Sequence, residues 1–232
     1  QASFDNHDTH TVVMNLRLLR LLEVDAIATP VVTWASEDEM AARSVFPGME
    51  GSERYAVLHV TPKFVYKAWT ASGWAMLGRW IRNCGVKVVV VGGTSPDERV
   101  TVSRILDGLP PDVIDLTGRV TLRALGSILS RAALYVGTDT AVTHMAAALG
   151  VPTIALFGPS NPVKWGPWPS DWPADSPSPW KRVGSQRQGN VYVLQGEGDC
   201  VPCLHEGCRR HVNSVSDCLQ QLPVFRVIEV AE

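Results

Sequence analysis

Short, uninterrupted apolar runs alternate with amphipathic segments across residues 55–157, and this alternation constrains the fold more than any other feature of the sequence. The run Lys87–Val91 contains four consecutive valines, a pattern typical of a strand that is covered on both faces. Strands separated by helix-length segments are typical of parallel sheets, in which each helix crosses from one strand to the next. We therefore predict an α/β fold with a doubly wound parallel sheet.

The predicted elements account for most of the chain. The expected strands are Tyr55–Val60, Lys87–Val91, Val113–Leu116, Ala133–Val136, Thr153–Phe157 and Val191–Leu194. The expected helices are Thr11–Leu22, Ser72–Cys84, Pro96–Leu106, Thr121–Ser130 and Thr140–Leu149, followed by a helical C-terminus. Residues 25–54 hold an acidic patch and a turn-like segment, and are expected to connect two structural units. Residues 161–180 are rich in Pro, Trp, Ser and Gly, which predicts a long surface loop.

Composition narrows the class of protein. An apolar content of 45% and a charged content of 19% are ordinary for a soluble globular chain. The net charge of −2 lacks the basic surplus of nucleic-acid-binding proteins, so no nucleic-acid partner is expected. No apolar run reaches the roughly 18 residues that a membrane-spanning helix requires. Nothing at the N-terminus resembles a signal peptide.

Ligands of open α/β sheets bind beyond the carboxyl ends of the strands, and residues 136–144 lie at such an end. A strand is expected to stop at Gly137 and a helix to begin near Thr140, with Asp139 or Thr138 as the N-cap. The free amides of the first helical turn would then suit a diphosphate, and His144 lies close enough to contact the same ligand. The alternative is an ordinary capping aspartate with a core histidine.

Two glycine-containing turns follow other strands of the predicted sheet. Gly93 permits a close backbone approach, and Glu98 in the next helical turn suits the hydroxyls of a ribose. Gly158 and Pro159 follow a buried strand and precede a polar helix start. The alternatives are an acid that only favours the helix dipole and an ordinary turn.

The fourth segment follows the first strand of the sheet. Thr61 directly follows that strand and Lys67 lies in the loop after it, where a point charge suits the phosphates of a ligand. A solvated loop lysine is the alternative. Because all four segments are expected at one edge of one sheet, together they favour a single ligand site.

These segments match a known family in both order and spacing. Residues 139–168 read DTAVTHMAAALGVPTIALFGPSNPVKWGPW, which resembles the signature of ADP-heptose:lipopolysaccharide heptosyltransferases and their relatives, glycosyltransferase family 9. The Lys67–Trp69 segment, the Gly92-Gly93…Glu98 segment and the Asp115–Leu122 block occur in the family's order, and the resemblance covers roughly residues 10–225. It implies the GT-B fold, in which two Rossmann-like domains face a cleft, and a reaction that requires no metal or other cofactor.

The resemblance also implies roles for individual residues. Lys67 would contact the donor phosphates, Glu98 the ribose and the loop around Val120 the base. The implied catalytic residues are Lys67, Asp139 and His144. The implied donor-binding residues are Thr61, Gly93, Glu98, Val120, Thr140, Ala141, Gly158 and Pro159.

The chain departs from the family in two respects. Ala141 stands where the family has glycine, and its methyl group could narrow the pocket or change donor preference. About 54 residues precede the expected donor domain, whereas an acceptor domain needs on the order of 150. We therefore expect residues 1–50 to be a remnant of the acceptor domain with a linker, and residues 51–232 to form the nucleotide-sugar-binding domain with a cysteine-containing tail. The catalytic base is expected from the missing acceptor side.

Four of the five cysteines cluster near the C-terminus with spacing that would suit tetrahedral zinc. They are Cys200, Cys203, Cys208 and Cys218, and His205 and His211 are possible substitute ligands. Reduced structural thiols and one or two disulfides are the alternatives. No chemical role is assigned to this cluster.

The leading hypothesis is a glycosyltransferase that moves a sugar, expected to be heptose, from a nucleotide donor such as ADP-heptose to a lipopolysaccharide-type or other lipid-linked glycan. From the family alone, we expect a bacterial cytoplasmic protein, with peripheral association at the inner face of the inner membrane as a possibility. An isolated nucleotide-sugar-binding module without turnover and a GT-B-type nucleotide-sugar epimerase are the alternatives. A dehydrogenase is disfavoured because no G-x-G-x-x-G segment follows a first strand.

Overall fold

The computed structural model describes residues 6–24, 30–173, 176 and 178–232, and these contain a seven-stranded sheet flanked by helices. The strand order is β3-β2-β1-β4-β5-β7-β6, and every pairing is parallel except that of β6 with β7. The strands are β1 Tyr55–His59, β2 Lys87–Val91, β3 Ile114–Asp115, β4 Leu134–Thr138, β5 Thr153–Phe157, β6 Gln186–Gln188 and β7 Val191–Gln195. The predicted α/β fold class, with its doubly wound parallel sheet, is confirmed. The antiparallel strand β6 was not predicted.

Helices cover both faces of the sheet, as predicted from the valine-rich strands. They are α1 Thr11–Leu21, α2 Ser36–Val45, α3 Ala71–Asn83, α4 Pro96–Leu106, α5 Leu122–Leu129, α6 Ala141–Ala148, α7 Pro162–Trp165, α8 Asp217–Gln220 and α9 Val224–Ala231. No helix of the described residues is both long and apolar enough to span a bilayer.

Strand β1 shows how the sequence produces this layering. Its side chains alternate between the two faces, so that Ala56 and Leu58 pack with α3, α4 and α9. Tyr55 and Val57 pack on the opposite face with α2, α5 and α6. All five residues of β1 are buried, and the first four are mainly apolar on both faces, which explains the absence of a polar alternation.

Part of residues 25–54, the segment predicted to connect two structural units, is itself folded against the sheet. Residues 25–29 lie outside the described residues, but the acidic patch forms the first turn of α2, where carboxylates favour the helix dipole. A short 3-10 helix, Pro47–Glu50, follows. Ala42, Phe46 and Met49 are buried in the same core cluster as Tyr55, so this segment packs onto the sheet. The proposed division of the chain at residue 50 stays a prediction.

The prediction of a surface loop at residues 161–180 is wrong for most of its length. Asn161 caps the short helix α7 by accepting a hydrogen bond from the amide of Val163 at 3.1 Å. Trp168 and Trp180 are buried, and the indole of Trp180 donates to the carbonyl of Pro167 at 3.0 Å. Large aromatic area outweighs the loop-like composition here. Residues 174, 175 and 177 of this stretch lie outside the described residues.

The N-terminal segment docks onto this buried stretch. The imidazole of His10, which immediately precedes α1, lies 2.7 Å from the carbonyl oxygen of Gly166 and contacts the ring of Trp168. The hydroxyl of Thr11 donates to the carbonyl of Lys164 at 2.9 Å. Burial lowers the pKa of His10 to about 4, so this histidine packs as a neutral ring at pH 7.

The substitution Phe46→Ala tests whether α2 and its 3-10 extension belong to the folding unit of the sheet. Phe46 is buried edge-on against Tyr55, so truncation should lower the free energy of unfolding by about 3 kcal/mol. Met40→Ala, on the exposed face of α2, is the control and should change the free energy of unfolding by less than about 0.5 kcal/mol. Urea denaturation measures both, and equal small effects would contradict integration of this segment into the core.

Candidate functional site

The carboxyl ends of β1, β2, β3 and β4 open into a cavity of about 550 Å³, called here the carboxyl-edge cavity. The strand order reverses between β1 and β4, the position at which open α/β sheets bind their ligands. All but two of the predicted site residues line it, namely Thr61, Lys67, Gly93, Glu98, Val120, Asp139, Thr140, Ala141 and His144. Gly158 and Pro159 do not.

A hollow of about 630 Å³ lies at the opposite edge of the sheet, beside the amino ends of the strands. Apolar side chains such as Trp80 and Ile154 line it together with polar ones that include Arg54, Arg187 and Glu232. None of the predicted site residues lies there, and the amino edge of a parallel sheet is not where such folds bind ligands. We therefore locate the candidate site in the carboxyl-edge cavity.

Asp139 forms the charged centre of the carboxyl-edge cavity. It follows β4 directly, is 8% exposed, and its Oδ2 lies 2.6 Å from the ammonium nitrogen of Lys67. The imidazole Nε2 of His144 lies 3.9 Å from the other carboxylate oxygen. The pairing of β1 with β4 places the loop that carries Lys67 beside the turn that carries Asp139.

The ionised form of Asp139 is maintained by its neighbours. Burial by itself would raise the pKa of Asp139, but the hydrogen bond from His144, the charge and hydrogen bond of Lys67 and a hydrogen bond from Ser160 together lower it. The structure thus holds a buried carboxylate against a partly exposed ammonium group.

Helix α6 begins at this centre with its first amides free of a side-chain cap. Thr140 occupies the N-cap position, so the prediction of Asp139 or Thr138 as the cap is wrong. The strand runs one residue beyond the predicted Gly137, and the carboxylate of Asp139 is turned to Lys67. Thr140 makes no side-chain capping bond, and its hydroxyl lies 3.4 Å from Nδ1 of His59 instead. The helix terminus therefore keeps its capacity to bind an anion.

Tyr135 and His59, two buried residues that sequence reasoning missed, contact side chains at the start of α6. The hydroxyl of Tyr135 lies 2.9 Å from that of Thr143, which in turn donates to the carbonyl of Thr138. His59, the last residue of β1, lines the cavity, and burial lowers its pKa to about 4, with Glu98 acting in the opposite direction. His59 is therefore neutral at pH 7. Its position at a strand end was a signal that could have identified it as a candidate.

Glu98 caps the start of α4 and also lines the cavity. Its Oε2 accepts hydrogen bonds from the hydroxyl of Ser95 at 2.7 Å and from the amide of Ser95 at 3.2 Å. The amide of Glu98 donates in turn to the hydroxyl oxygen of Ser95 at 3.3 Å, which completes a capping box at the start of α4. A Cβ on Gly93 would collide with the Glu98 carboxylate, so glycine is required for this close approach. The capping bonds use Oε2, and the carboxylate also lines the cavity.

Thr61 contributes an unpartnered hydroxyl to the cavity. Within the described part of the chain its Oγ1 is buried and has no hydrogen-bond partner. A Cβ on Gly92 would lie 2.5 Å from this oxygen, so glycine permits the approach of β2 to Thr61. Buried hydroxyls are nearly always hydrogen-bonded in folded proteins, and a bound polar ligand would satisfy this one.

The end of the cavity beneath β2 and β3 is apolar. Val120, Leu122 and Leu125 line it from the turn before α5 and from α5 itself. Phe64 lines the same cavity from the loop after β1, and its ring stacks on Tyr66 with a centroid separation of 5.4 Å. Sequence reasoning found only Val120 here, because the other contacts depend on how distant loops come together.

Gly158 and Pro159 lie beside the C-terminal tail. A Cβ on Gly158 would lie 2.7 Å from Leu219 and 3.1 Å from Sγ of Cys218, so this glycine permits close packing of the tail. The carbonyl of Pro159 accepts a hydrogen bond from the amide of Leu204 at 2.9 Å. Pro159 and Lys67 both line a smaller neighbouring cavity of about 280 Å³.

The cysteine cluster is not arranged as a metal site. Cys200, Cys203, Cys208 and Cys218 are free thiols. Among the described residues no group of three or more His, Cys, Asp and Glu side chains is placed to hold a metal ion. The four-thiolate zinc site is therefore not formed in this structure, and neither is a disulfide.

Comparison with known proteins identifies the family. The sequence profile of glycosyltransferase family 9 (heptosyltransferase) matches residues 2–174. The chain belongs to glycosyltransferase family 9.

Curated relatives of this family 9 chain carry consistent names. Lipopolysaccharide heptosyltransferase 3 of Escherichia coli is 31% identical over 163 residues, which are 68% of this chain and 47% of that protein. The same enzyme of strain K12 is 29% identical over 164 residues, with shares of 70% and 48%. Lipopolysaccharide heptosyltransferase 1 of Salmonella typhimurium is 33% identical over 112 residues, with shares of 48% and 34%. The chain spans about half the length, or less, of these relatives.

Solved structures confirm the fold. A family 9 glycosyltransferase from Veillonella parvula superposes with a TM-score of 0.75 at 20% identity, covering 99% of this chain and 61% of that one. ADP-heptose lps heptosyltransferase II of E. coli superposes with a TM-score of 0.63 at 19% identity, covering 87% and 52%. At these identities the similarity shows the architecture alone.

Lys67→Met tests the ion pair at the centre of the cavity. The variant loses the charge and hydrogen bond that lower the pKa of Asp139 but keeps the burial that raises it, so this pKa should rise. Carbon NMR titration of the aspartate carboxyl groups measures the change. Lys63→Met, which removes an exposed lysine from the wall of the same cavity, is the matched control and should leave the pKa of Asp139 in place.

The same pair predicts how stability depends on pH. Because the pKa of Asp139 is depressed in the folded state, its ionised form stabilises the protein above the unfolded pKa of aspartate. That contribution to stability is lost as the pH falls through the pKa that Asp139 has in the folded protein. Lys67→Met should therefore be less stable than wild type at neutral pH, with a difference that narrows on acidification. A constant difference in urea denaturation at every pH would contradict this assignment.

Proposed function

We propose that this chain supplies the donor site of a glycosyltransferase that moves a heptose from a nucleoside-diphosphate donor, such as ADP-heptose, to a lipopolysaccharide-type acceptor. The observation that carries the proposal is the uncapped start of α6 facing the Lys67–Asp139 pair within one cavity. Family membership and the names of the curated relatives support the class of reaction and the class of sugar.

The lining of the cavity changes from apolar at one end to positively charged at the other, which fits a nucleoside diphosphate. Its apolar end, near Val120 and Leu122, suits a planar base. Glu98, in the first turn of α4 after β2, suits the hydroxyls of a ribose, and the capping box holds its carboxylate in position. Lys67 and the first amides of α6, beside β1 and β4, then suit the diphosphate.

In the proposed reaction an acceptor hydroxyl oxygen forms a bond to the anomeric carbon of the donor sugar. The bond between that carbon and the phosphate oxygen breaks, and the nucleoside diphosphate leaves with the electron pair. The hydroxyl proton passes to a base that we place on the acceptor side of the cleft. Lys67 has three donor hydrogens and uses one on Asp139, so the others remain for the leaving diphosphate.

Asp139 acts in this scheme by holding the ammonium group of Lys67 at the cavity. Its second carboxylate oxygen faces His144, whose side chain is 40% exposed and within reach of the donor sugar or diphosphate. No cofactor is needed in the proposal, since Lys67 and the helix terminus supply positive charge where the diphosphate charge develops.

We further propose that the acceptor binds at a facing domain that residues 1–50 only begin to represent, and that residues 51–232 form the nucleotide-sugar-binding unit. A lipid-linked acceptor would bring the enzyme to the cytoplasmic face of the inner membrane. The names of the relatives support an acceptor of the lipopolysaccharide type.

A nucleotide-sugar-binding module without turnover is the second candidate. It is favoured by one observation: Asp139, the buried carboxylate of the cavity, is paired with Lys67 and is therefore not free to act as a base. Both candidates require the carboxyl-edge cavity to bind the donor, and only the first requires transfer.

Glu98→Gln tests the ribose contact without disturbing the helix cap, because glutamine also completes a capping box. Loss of a charge-assisted hydrogen bond should weaken ADP binding about tenfold in calorimetry. Asp97→Asn, an exposed neighbour in the same helical turn that does not line the cavity, is the control and should bind ADP as wild type does. Equal affinities of Glu98→Gln and wild type would contradict the ribose assignment.

Transfer is tested by incubating the protein with ADP-heptose and a heptose-deficient lipopolysaccharide core, and measuring the acceptor mass and ADP release. A gain of one heptose supports the transferase. Donor binding without transfer supports the binding module. If ADP-, UDP- and GDP-sugars all fail to bind, and His144→Ala and Lys67→Ala are without effect, both candidates are rejected.

A further inference from the structure

The formal charges that line the carboxyl-edge cavity cancel in the described part of the chain. The ammonium groups of Lys63 and Lys67 are matched by the carboxylates of Glu98 and Asp139. The start of α6 adds roughly half a unit of positive charge. The nucleotide sugar proposed to bind here brings two negative charges on its diphosphate. A cavity with so little surplus positive charge binds this dianion better when one of its own groups takes up a proton.

Two histidines line the cavity, and their surroundings differ. The imidazole of His144 is 40% exposed, and its Nε2 lies 3.9 Å from a carboxylate oxygen of Asp139. Solvent and this carboxylate therefore already compensate a charge on His144. His59 is 8% exposed and lies at the end of β1, between the ends of β2 and β4. A charge on His59 has no such compensation until an anion enters the cavity.

A chain of hydroxyl groups leads from His59 into the core. Nδ1 of His59 lies 3.4 Å from the hydroxyl oxygen of Thr140, which lies 3.3 Å from that of Thr143. The hydroxyl of Thr143 donates to the carbonyl of Thr138, and its oxygen lies 2.9 Å from the hydroxyl of Tyr135. Each hydroxyl can both donate and accept a hydrogen bond, so the direction of the bonds along this chain is adjustable.

The hydroxyl of Thr140 can therefore serve His59 in either protonation state. It can donate to an unprotonated Nδ1, or it can accept from a protonated Nδ1 and donate to the oxygen of Thr143. In both states Nδ1 keeps a partner without movement of a heavy atom. Within the described residues Nε2 of His59 makes no hydrogen bond, so this nitrogen is available to a ligand of the cavity.

The electrostatics of His59 are sensitive to negative charge in the cavity. Burial lowers the pKa of His59 to about 4, and the charge of Glu98 acts against this effect. A diphosphate acts in the same direction as Glu98. Lys63 and Lys67 oppose it, but the two cavity carboxylates already balance these lysines. Binding of the diphosphate therefore raises the pKa of His59.

Resting on the proposed function, we infer that His59 takes up a proton as the nucleotide sugar binds, and that Nε2 of its imidazolium donates to the diphosphate. The proton comes from solvent and returns there when the nucleoside diphosphate is released. During transfer the bond between the anomeric carbon and the phosphate oxygen breaks, and negative charge increases on the diphosphate. The imidazolium stabilises this charge together with Lys67.

The experiment is calorimetry of ADP-heptose binding in two buffers that differ in their ionisation enthalpy, which gives the number of protons taken up. ADP-heptose is used because both of its phosphates are esterified and exchange no proton near neutral pH. We expect wild type to take up about half a proton or more at pH 6. Because proton uptake couples affinity to pH, binding should be at least about twofold weaker at pH 8 than at pH 6.

Variants assign the proton to one histidine. His59→Gln keeps a neutral N–H donor but has no titratable group, so proton uptake and the pH dependence of affinity should be lost. His144→Gln should retain both. His211→Gln, an exposed histidine that does not line the cavity, is the control and should behave as wild type does.

The role of the hydroxyl chain is tested at Thr140. Thr140→Val leaves a protonated Nδ1 of His59 without an acceptor and should reduce proton uptake. Thr140→Ser retains the hydroxyl and should restore it. A role of Thr140 limited to packing predicts no difference in proton uptake between these two variants.

Nitrogen NMR of labelled histidine side chains tests the wild-type protein directly, whatever the stability of the variants. At pH 6 the His59 ring should change from the neutral to the doubly protonated pattern when ADP-heptose is added. A His59 ring that stays neutral, or proton uptake that persists in His59→Gln, overturns the inference. ADP-heptose binding without proton uptake also overturns it and leaves the proposed function intact. Absence of ADP-heptose binding contradicts the proposed function, and the inference fails with it.

Discussion

The parallel pairing of β1 with β4 determines where the charged groups of the site meet. Lys67 and Asp139 are separated by 72 positions in the sequence, and this register brings the ends of their strands side by side. A carboxylate as buried as that of Asp139 is costly without a cation, so the ion pair in turn requires the sheet to be correctly registered. The uncapped start of α6 and the hydroxyl of Thr140 lie next to this pair because α6 follows β4 after a turn of two residues. Fold and site therefore depend on the same pairing.

Much of the fold was predictable because its signals are local. Unbroken apolar runs predicted the central strands, and the helices expected to begin at Pro96 and Thr121 begin at Pro96 and Leu122. The errors arose where tertiary contacts decide the structure. The acidic patch around Glu37 begins a helix that ends at Phe46, which is buried against Tyr55, and the sequence does not reveal this contact. The Trp-rich stretch after β5 packs inside because its indoles find apolar surface and carbonyl partners, which composition does not reveal.

In the site, too, residues with local sequence signals were predicted and residues placed by tertiary contacts were not. Residues that follow strands and carry recognisable chemistry, such as Lys67 and Glu98, were predicted, and the structure brings them to one cavity. Phe64 and Leu122 were missed because their approach depends on loops from distant parts of the chain. Gly158 was predicted as a donor residue, whereas the structure shows it packed against the tail. A glycine in a turn indicates close approach, but the sequence does not say of what.

The tail that crosses the loops after β1 and β5 has an implication for how such a scaffold diversifies. It contributes His205 and Leu204 to the cavity of about 280 Å³ that Pro159 also lines, yet no residue beyond His144 lines the carboxyl-edge cavity in the described chain. Exchange of the tail by recombination or by protein engineering would therefore reshape one pocket and spare the other. Tail grafts between homologues are a practical route to altered selectivity on this architecture, provided that the backbone bonds to Pro159 and Ala68 are retained.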